Sequence, residues 1–261
     1  MTKSGPISCC SWAFEGPVNE TLVQLAEIGL GAVDVRPSTL RGAEARALVR
    51  NLGMEVGCVA LSHEMPEGAA LDSTEAGPVE AAMAHLLGGL DQAVTVGASH
   101  AYVVPDAPID GDSLKRYAAV LPGLADYARA AGARLCVEHF PGTALPTVAE
   151  TLRFLDDLSH DNLYLLFDIG HAQMSGEDPA EVLAAAGPRL GYVHLDDNDG
   201  AGDLHLALTD GVQTRESLGG LFETLARIGY DGPVSLEMSP NLPDVSGAVR
   251  RGFELVAGLR S

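Results

Sequence analysis

A chain of 261 residues with 46% hydrophobic content is long enough to bury one large core, and about 250 residues is the usual size of a single (β/α)8 barrel. Its formal charge of −20, from 16 Lys+Arg against 36 Asp+Glu, disfavours nucleic acid and anionic membrane as partners, because phosphates are neutralised by Lys and Arg. The apolar runs are too short and too interrupted by Gly or charge to span a bilayer, and MTKSGPISCC lacks the apolar core of a signal peptide, so a cytoplasmic soluble protein is expected.

Strand patterns occur in chain order at about 7–13, 32–36, 55–61, 100–104, 134–138, 163–168, 190–195 and 233–238. Amphipathic, Ala- and Leu-rich segments such as NETLVQLAEIGL, GAEARALVRNLG, SLKRYAAVLPGLADYARAAG and SLGGLFETLARIGY alternate with them. Several close on glycine, at Gly53, Gly132 and Gly229, as a helix does before the next strand. Eight strand-then-helix alternations predict an α/β fold, a closed parallel (β/α)8 TIM barrel forming one domain over 1–261. An open doubly wound sheet is the alternative, weakened because no G-x-G-x-x-G follows the first strand. Cys9, Cys10, Cys58 and Cys136 all fall inside apolar runs, which suits buried reduced thiols.

Two connections exceed the usual short strand-to-helix loop, 62–77 after the third strand and 196–213 after the seventh. In a barrel both lie on the catalytic face and are candidate lids or substrate-selecting loops. For the first, with its Glu, Gly, Pro and Ser content, a solvated and partly disordered loop is an equal expectation.

Four strand runs end in an acidic or imidazole side chain: Glu138 after RLCV, Asp168 after LYLLF, His194 after LGYV and Glu237 after PVSL. A single strand-end carboxylate more often caps a helix or pairs with Arg. Four in consecutive units place acid and imidazole together beside a low-dielectric barrel interior, in a chain with only 16 Lys+Arg against 36 Asp+Glu. A divalent cation neutralises such a set, and three carboxylates with one imidazole suit manganese or magnesium, with cobalt and zinc as further options.

CVEHFPG at 136–142, FDIGHA at 167–172, YVHLDDND at 192–199, DLHLALTDG at 203–211 and SLEMS at 235–239 together resemble the sugar phosphate isomerase/epimerase group of xylose isomerase-like TIM barrels, the superfamily that includes AP endonuclease family 2. The resemblance implies that Glu138, Asp168, His194 and Glu237 bind one divalent metal ion, often manganese. It implies further that Glu138 and Glu237 act as acid and base, and that His171 points at a substrate oxygen. The expected reaction is isomerisation or epimerisation of a keto-sugar or related polyol, by proton abstraction next to a polarised carbonyl through an enediolate. A metal-dependent lyase or dehydratase acting on a keto-cyclitol or 3-keto-glycoside begins with the same deprotonation. An endonuclease IV-like zinc phosphodiesterase is the hydrolytic alternative, for which His63, His171, Asp203 and His205 resemble further ligands. Against it, VVPDAP sets Pro105 near where that group has a metal-binding histidine. A barrel serving only as a structural or regulatory subunit would leave the four ligands vestigial.

Asp203 and His205 read first as substrate contacts or loop anchors and second as ligands of another metal. His139, beside Glu138, should point away from the interior. In the N-terminal half Trp12, Glu15 and Arg36 fall at or just past strand ends, and Trp12, Arg36 and His63 are candidate substrate-binding residues. Only Lys3 and Lys115 are present, neither at a strand end, which disfavours a Schiff-base aldolase. The loops DDNDGAGD and MSPNLPD, where barrels commonly grip phosphate, are acidic, so the expected partner is an uncharged sugar-like small molecule, with homo-oligomerisation left open.

Overall fold

The computed structural model describes residues 5–105 and 111–260, leaving Lys3 and the Asp106–Pro108 part of VVPDAP outside the described residues. The first half runs β1 (Ile7–Cys9), α1 (Val18–Ile28), β2 (Ala32–Val35), α2 (Ala43–Asn51), β3 (Glu55–Ala60), α3 (Ala76–Val96), β4 (His100–Val103) and α4 (Gly111–Ala130). The second runs β5 (Arg134–Glu138), α5 (Val148–Leu158), β6 (Leu163–Asp168), α6 (Ile169–Met174), α7 (Pro179–Ala186), β7 (Leu190–Leu195), α8 (Arg215–Ile228), β8 (Val234–Leu236) and α9 (Val245–Leu259). All strand pairs are parallel in the order β1-β8-β7-β6-β5-β4-β3-β2, and a bridge between Cys10 and Asp34 brings β1 against β2. The expected TIM barrel is the architecture.

The first strand is shorter than its apolar run predicts. The strand ends at Cys9 with one further bridge at Cys10, and Ser11–Ala13 form a 3-10 turn in which the Ala13 and Phe14 amides donate to the Cys10 and Ser11 carbonyls. Periodicity does not separate a buried strand from a buried turn in so short a run. The last strand likewise ends at Leu236, so Glu237 and Met238 lie just beyond it. Helix ends follow local chemistry: Thr147, Asp178, Thr214 and Asp244 accept bonds from first-turn amides, and Gly29, Gly97 and Gly229 close helices in the left-handed region. Among the described residues no helix is long and apolar enough to cross a membrane.

Because strand side chains alternate, the barrel has two cores. One set packs outward against the helices, including Val59, Ala101, Leu135, Val137, Leu165 and Val193. The alternate set fills the lumen with Cys58, Ala60, Tyr102, Cys136, Leu166 and Tyr192. Continuing that inward alternation, Cys136 leads to Glu138, Leu166 to Asp168, Tyr192 to His194, and Ser235 to Glu237. All four cysteines are buried free thiols, as their placement predicts. The lumen is tight enough to require glycine at Gly57, where a Cβ would come within 2.7 Å of both Asp34 Oδ1 and the Tyr192 hydroxyl.

At the opposite end of the barrel, His100 opens β4 and is 6% exposed. Burial, with the nearby Arg134 charge, lowers its pKa to about 4. The folded state therefore keeps this ring neutral between about pH 6.5 and 4 while the unfolded chain takes up a proton. Its contribution is fully present above the unfolded value and falls as pH drops toward the folded one, by on the order of 3 kcal/mol. In urea titrations, His100→Gln should flatten the loss of stability between pH 6.5 and 4.5 relative to the unchanged protein. Parallel curves would exclude His100 as its source.

Candidate metal centre and active site

Glu138 and Asp168 are the last residues of β5 and β6, His194 is the penultimate residue of β7, and Glu237 follows β8. Register sets Asp168 opposite His194, and His194 opposite Ser235. All four side chains are buried, and one donor atom from each lies within 4.8 Å of all the others. His194 Nδ1 is 2.6 Å from Glu237 Oε2, 3.6 Å from Glu138 Oε1 and 3.9 Å from Asp168 Oδ2.

Burial dominates the protonation of this cluster. It raises the Glu138 carboxyl above its ordinary range, and with the Asp196 charge it raises Asp168 to about 7. Burial also acts to raise Glu237, but the adjacent His194 charge outweighs it and holds that carboxyl low, with Trp12 donating from Nε1 to Glu237 Oε1 at 2.9 Å. For His194 burial opposes the charge, and the Glu237 and Glu138 carboxylates overcome it to hold the imidazolium well above its usual pKa.

A divalent cation is compatible with these residues. Asp168 Oδ2 is buried, faces the cluster and makes no hydrogen bond, and His194 Nδ1 is buried among three carboxylates. Such atoms are expensive to leave unpaired and are suited to become ligands. Three hard carboxylates and one imidazole answer that need without thiolate, which matches the preference of oxygen-seeking divalent ions.

Neighbouring groups hold these side chains. Asp168 Oδ1 accepts from the His171 amide at 2.8 Å and caps α6, which leaves Oδ2 turned to the cluster. The Asp168 amide donates to His139 Nε2 at 3.2 Å, so His139 is a buried support rather than a member of the cluster, and burial lowers its pKa to about 3. His171 Nδ1 lies 3.0 Å from the His139 carbonyl and must carry its proton there, while Nε2 faces Asp203 Oδ1 at 3.6 Å. Burial opposes charging His171, yet Asp168, Asp203 and Glu138 raise it to about 10. Beneath the cluster the fully buried Asp34 accepts from Ser8 Oγ and the Tyr192 hydroxyl, both at 2.7 Å, and lies 4.0 Å from His194 Nε2.

The loop 196–213 folds inward as a clasp. Asp197 accepts from the amides of Asn198, Gly211 and Gln213, and pairs with Leu206 in an antiparallel bridge. Asp196 accepts from the Gly170 amide at 3.0 Å and faces His205 Nδ1 at 3.2 Å, while His205 Nε2 is 3.2 Å from Asp203. Burial opposes the His205 charge, and Asp196 and Asp203 raise it to about 12. Asp196, Asp203 and His205 also form a second group with converging donor atoms. Gly170 leaves room for this clasp: a Cβ there would collide with Asp196 and Asn198 side chains. Gly170→Ala should therefore destabilise the fold by about 1–3 kcal/mol and shift His171, read by thermal melting and by the His171 ring resonance. Unchanged melting and resonance would show that the clasp tolerates the displacement.

The acid cluster opens into a cavity of about 280 Å³, whose walls include Trp12, Glu138, Phe140, His171, His205 and Glu237. His63 also lines it, with its ring centroid 4.7 Å from Trp12 and Nε2 3.5 Å from the Tyr102 hydroxyl. Arg36 is not brought to these walls. Its guanidinium lies over Trp12, 5.9 Å from the ring centroid, and lines an adjoining groove with Ser38, Thr39 and Glu64. Sequence reasoning missed Tyr102, Asp34 and Asp196 as parts of the site. Asp34, an acid inside the apolar run AVDV, carried the clearest signal of the three.

A family model described as xylose isomerase-like TIM barrel matches residues 22–255. An inosose dehydratase from Lacticaseibacillus casei is 30% identical over 140 residues, covering 48% of this chain and 47% of that protein. An L-ribulose 3-epimerase from Mesorhizobium japonicum is 29% identical over 158 residues, covering 58% and 48%. The chain thus spans about half the length of the curated relatives it matches. Among solved structures, an L-ribulose 3-epimerase superposes with a TM-score of 0.84 at 19% identity, covering 98% of this chain and 94% of that one. A Methylomonas sp. D-allulose 3-epimerase in complex with D-allulose gives 0.81 at 19% identity, covering 98% and 97%. At such identity the likeness is one of fold.

Proposed function

The chain belongs to the xylose isomerase-like TIM barrel family, and from that premise we propose that it is a divalent-metal-dependent isomerase or epimerase of a keto-sugar or related polyol. The observation that carries the reading is the convergence of Glu138, Asp168, His194 and Glu237, two of which, Glu138 and Glu237, line a cavity with room for a small molecule. These four residues would hold one cation, manganese being the first expectation. When bound, the ion supplies positive charge to the oxygens of the sugar and so acidifies the C–H beside its carbonyl.

The protein's own residues then handle the proton. Glu138 and Glu237 reach the cavity from β5 and from beyond β8, flanking His194, so that one removes a proton and the other returns it. Trp12 fixes Glu237 through its indole N–H. His171, locked by the His139 carbonyl, presents Nε2 to the cavity as a donor for developing negative charge on a substrate oxygen. Phe140 and Met238 narrow the space around these groups and limit water there.

Both epimerases and an inosose dehydratase occur among the relatives, and lyase chemistry on a keto-cyclitol or 3-keto-glycoside is the second reading. The test is incubation with ketoses and inososes in deuterated water. Solvent deuterium on the carbon next to the carbonyl supports the shared abstraction, and the product, epimer or dehydrated enone, separates the two. Phosphodiester cleavage without carbon-bound label would replace both with the hydrolytic alternative. Free ketoses should also be preferred over their phosphate esters, because the described walls of the acid cavity include no Arg or Lys. A clear preference for the esters, abolished by Arg36→Ala, would reverse that expectation.

A further inference from the structure

A second cavity, of about 300 Å³, adjoins the acid cavity, and His63 and Val104 line both. Its other walls are mostly apolar, Met65, Ala69, Ala70 and Leu71 from the connection after β3 and Tyr117 from α4, with Ser62 and Asp72 of the same connection as polar members. That connection has the composition of a solvated loop, yet it is held in place. His85 Nε2 on α3 contacts the carbonyls of Leu61 and His63, Ser62 Oγ accepts from the Val104 amide at 2.9 Å, and Arg116 Nε donates to the Asp72 carbonyl. The loop therefore turns apolar side chains inward around a space it does not fill. A free monosaccharide, ringed by hydroxyls, gains little there, and the acid cavity alone is near the small end of ligand sites at about 300 Å³.

We propose that this apolar compartment is a subsite for the aglycone of a glycoside, an aryl group being its occupant, while the sugar ring of the same molecule sits over the acid cluster. The proposal rests on the sugar-directed reading above and narrows its substrate class from free ketoses to keto-glycosides with an apolar substituent. The shared wall carries the argument. A glycosidic bond passing His63 and Val104 would join the polar and apolar halves of one ligand. The Trp12 and His63 rings, with centroids 4.7 Å apart, offer flat faces at that junction.

Calorimetric titration of the purified, manganese-loaded protein with phenyl and methyl β-D-glucopyranoside tests the subsite without requiring turnover. The same pair of galactosides guards against a mismatched sugar. Burial of the phenyl ring should tighten binding roughly tenfold or more over methyl. Ala70→Trp, and independently Ala69→Phe, should bring the phenyl-to-methyl ratio close to one, with circular dichroism verifying the fold. Equal affinities in the unchanged protein, no binding of either pair, or an aryl preference that survives both substitutions would overturn the inference. Deuterium exchange on free ketoses is scored separately. Exchange without aryl preference removes the subsite alone, and aryl preference without exchange removes the enolisation reading alone.

Discussion

Glu138→Gln and Glu237→Gln are each expected to reduce solvent-deuterium incorporation into a competent keto-sugar by roughly 10²–10⁴-fold, even at saturating manganese. Glutamine keeps the size and a ligating oxygen but accepts no proton at the pH of the assay, so the loss reports proton transfer as well as metal retention. Asp168→Asn supplies the contrast. Asp168 caps α6 through Oδ1 and offers Oδ2 to the cluster, but it does not line the cavity, so added metal should recover much of its activity. The two glutamate variants should differ in kind. With a single substrate epimer, loss of the abstracting carboxylate suppresses label entry, whereas loss of the returning one suppresses product more than exchange. Near-normal epimerisation by either glutamate variant would remove the two-base assignment.

The convergence of the three acids and His194 was legible because it depends on two simple periods, the repeat of strand then helix and the alternation within each strand. RLCVE, LYLLFD, LGYVHL and PVSLE each combine an apolar run with a terminal polar group, and their closure in one barrel is what register then builds. Glu237 is instructive: the apolar run extends past it, but pairing ends at Leu236, and the carboxyl reaches the cluster from just beyond the strand. Arg36 was legible as a rim residue but not in its direction. Its place beside Trp12 depends on the 3-10 turn Ser11–Ala13, which an apolar run does not disclose.

The acidic loop after β7 shows where composition misleads. DDND reads as a charged rim, but Asp196, Asp197 and Asn198 are fully buried and engaged with amides, Gly170, and each other. A run of short polar side chains organises backbone as readily as it faces solvent, and only the tertiary path decides. The 62–77 connection errs in the other direction. Its scattered Met65, Ala69, Ala70 and Leu71 have no helical or strand period, so their common cavity is invisible until the chain is folded.

Asp168→Asn should also uncouple metal binding from folding stability. In the unchanged protein three buried carboxylates face one another across His194, and a cation bound only by the folded state stabilises it by mass action, about 2.7 kcal/mol when free metal is 100 times its dissociation constant. Chelation should therefore lower the melting temperature, and added manganese should restore it in a concentration-dependent way. With Asp168→Asn the site loses a hard anionic ligand whose free oxygen has no other partner, so retention of metal through gel filtration should fall well over tenfold. Its metal-free melting temperature should stay at or above that of the metal-free parent, since one charge has left a crowded buried cluster. The shift at a given manganese concentration should be smaller than the parent's and should emerge only at the higher concentrations that restore activity. A chelator-insensitive melting curve for the parent, with no divalent ion found by elemental analysis and none taken up on addition, would leave the four side chains a structural ion-pair network and remove the ground for metal-assisted catalysis in this barrel.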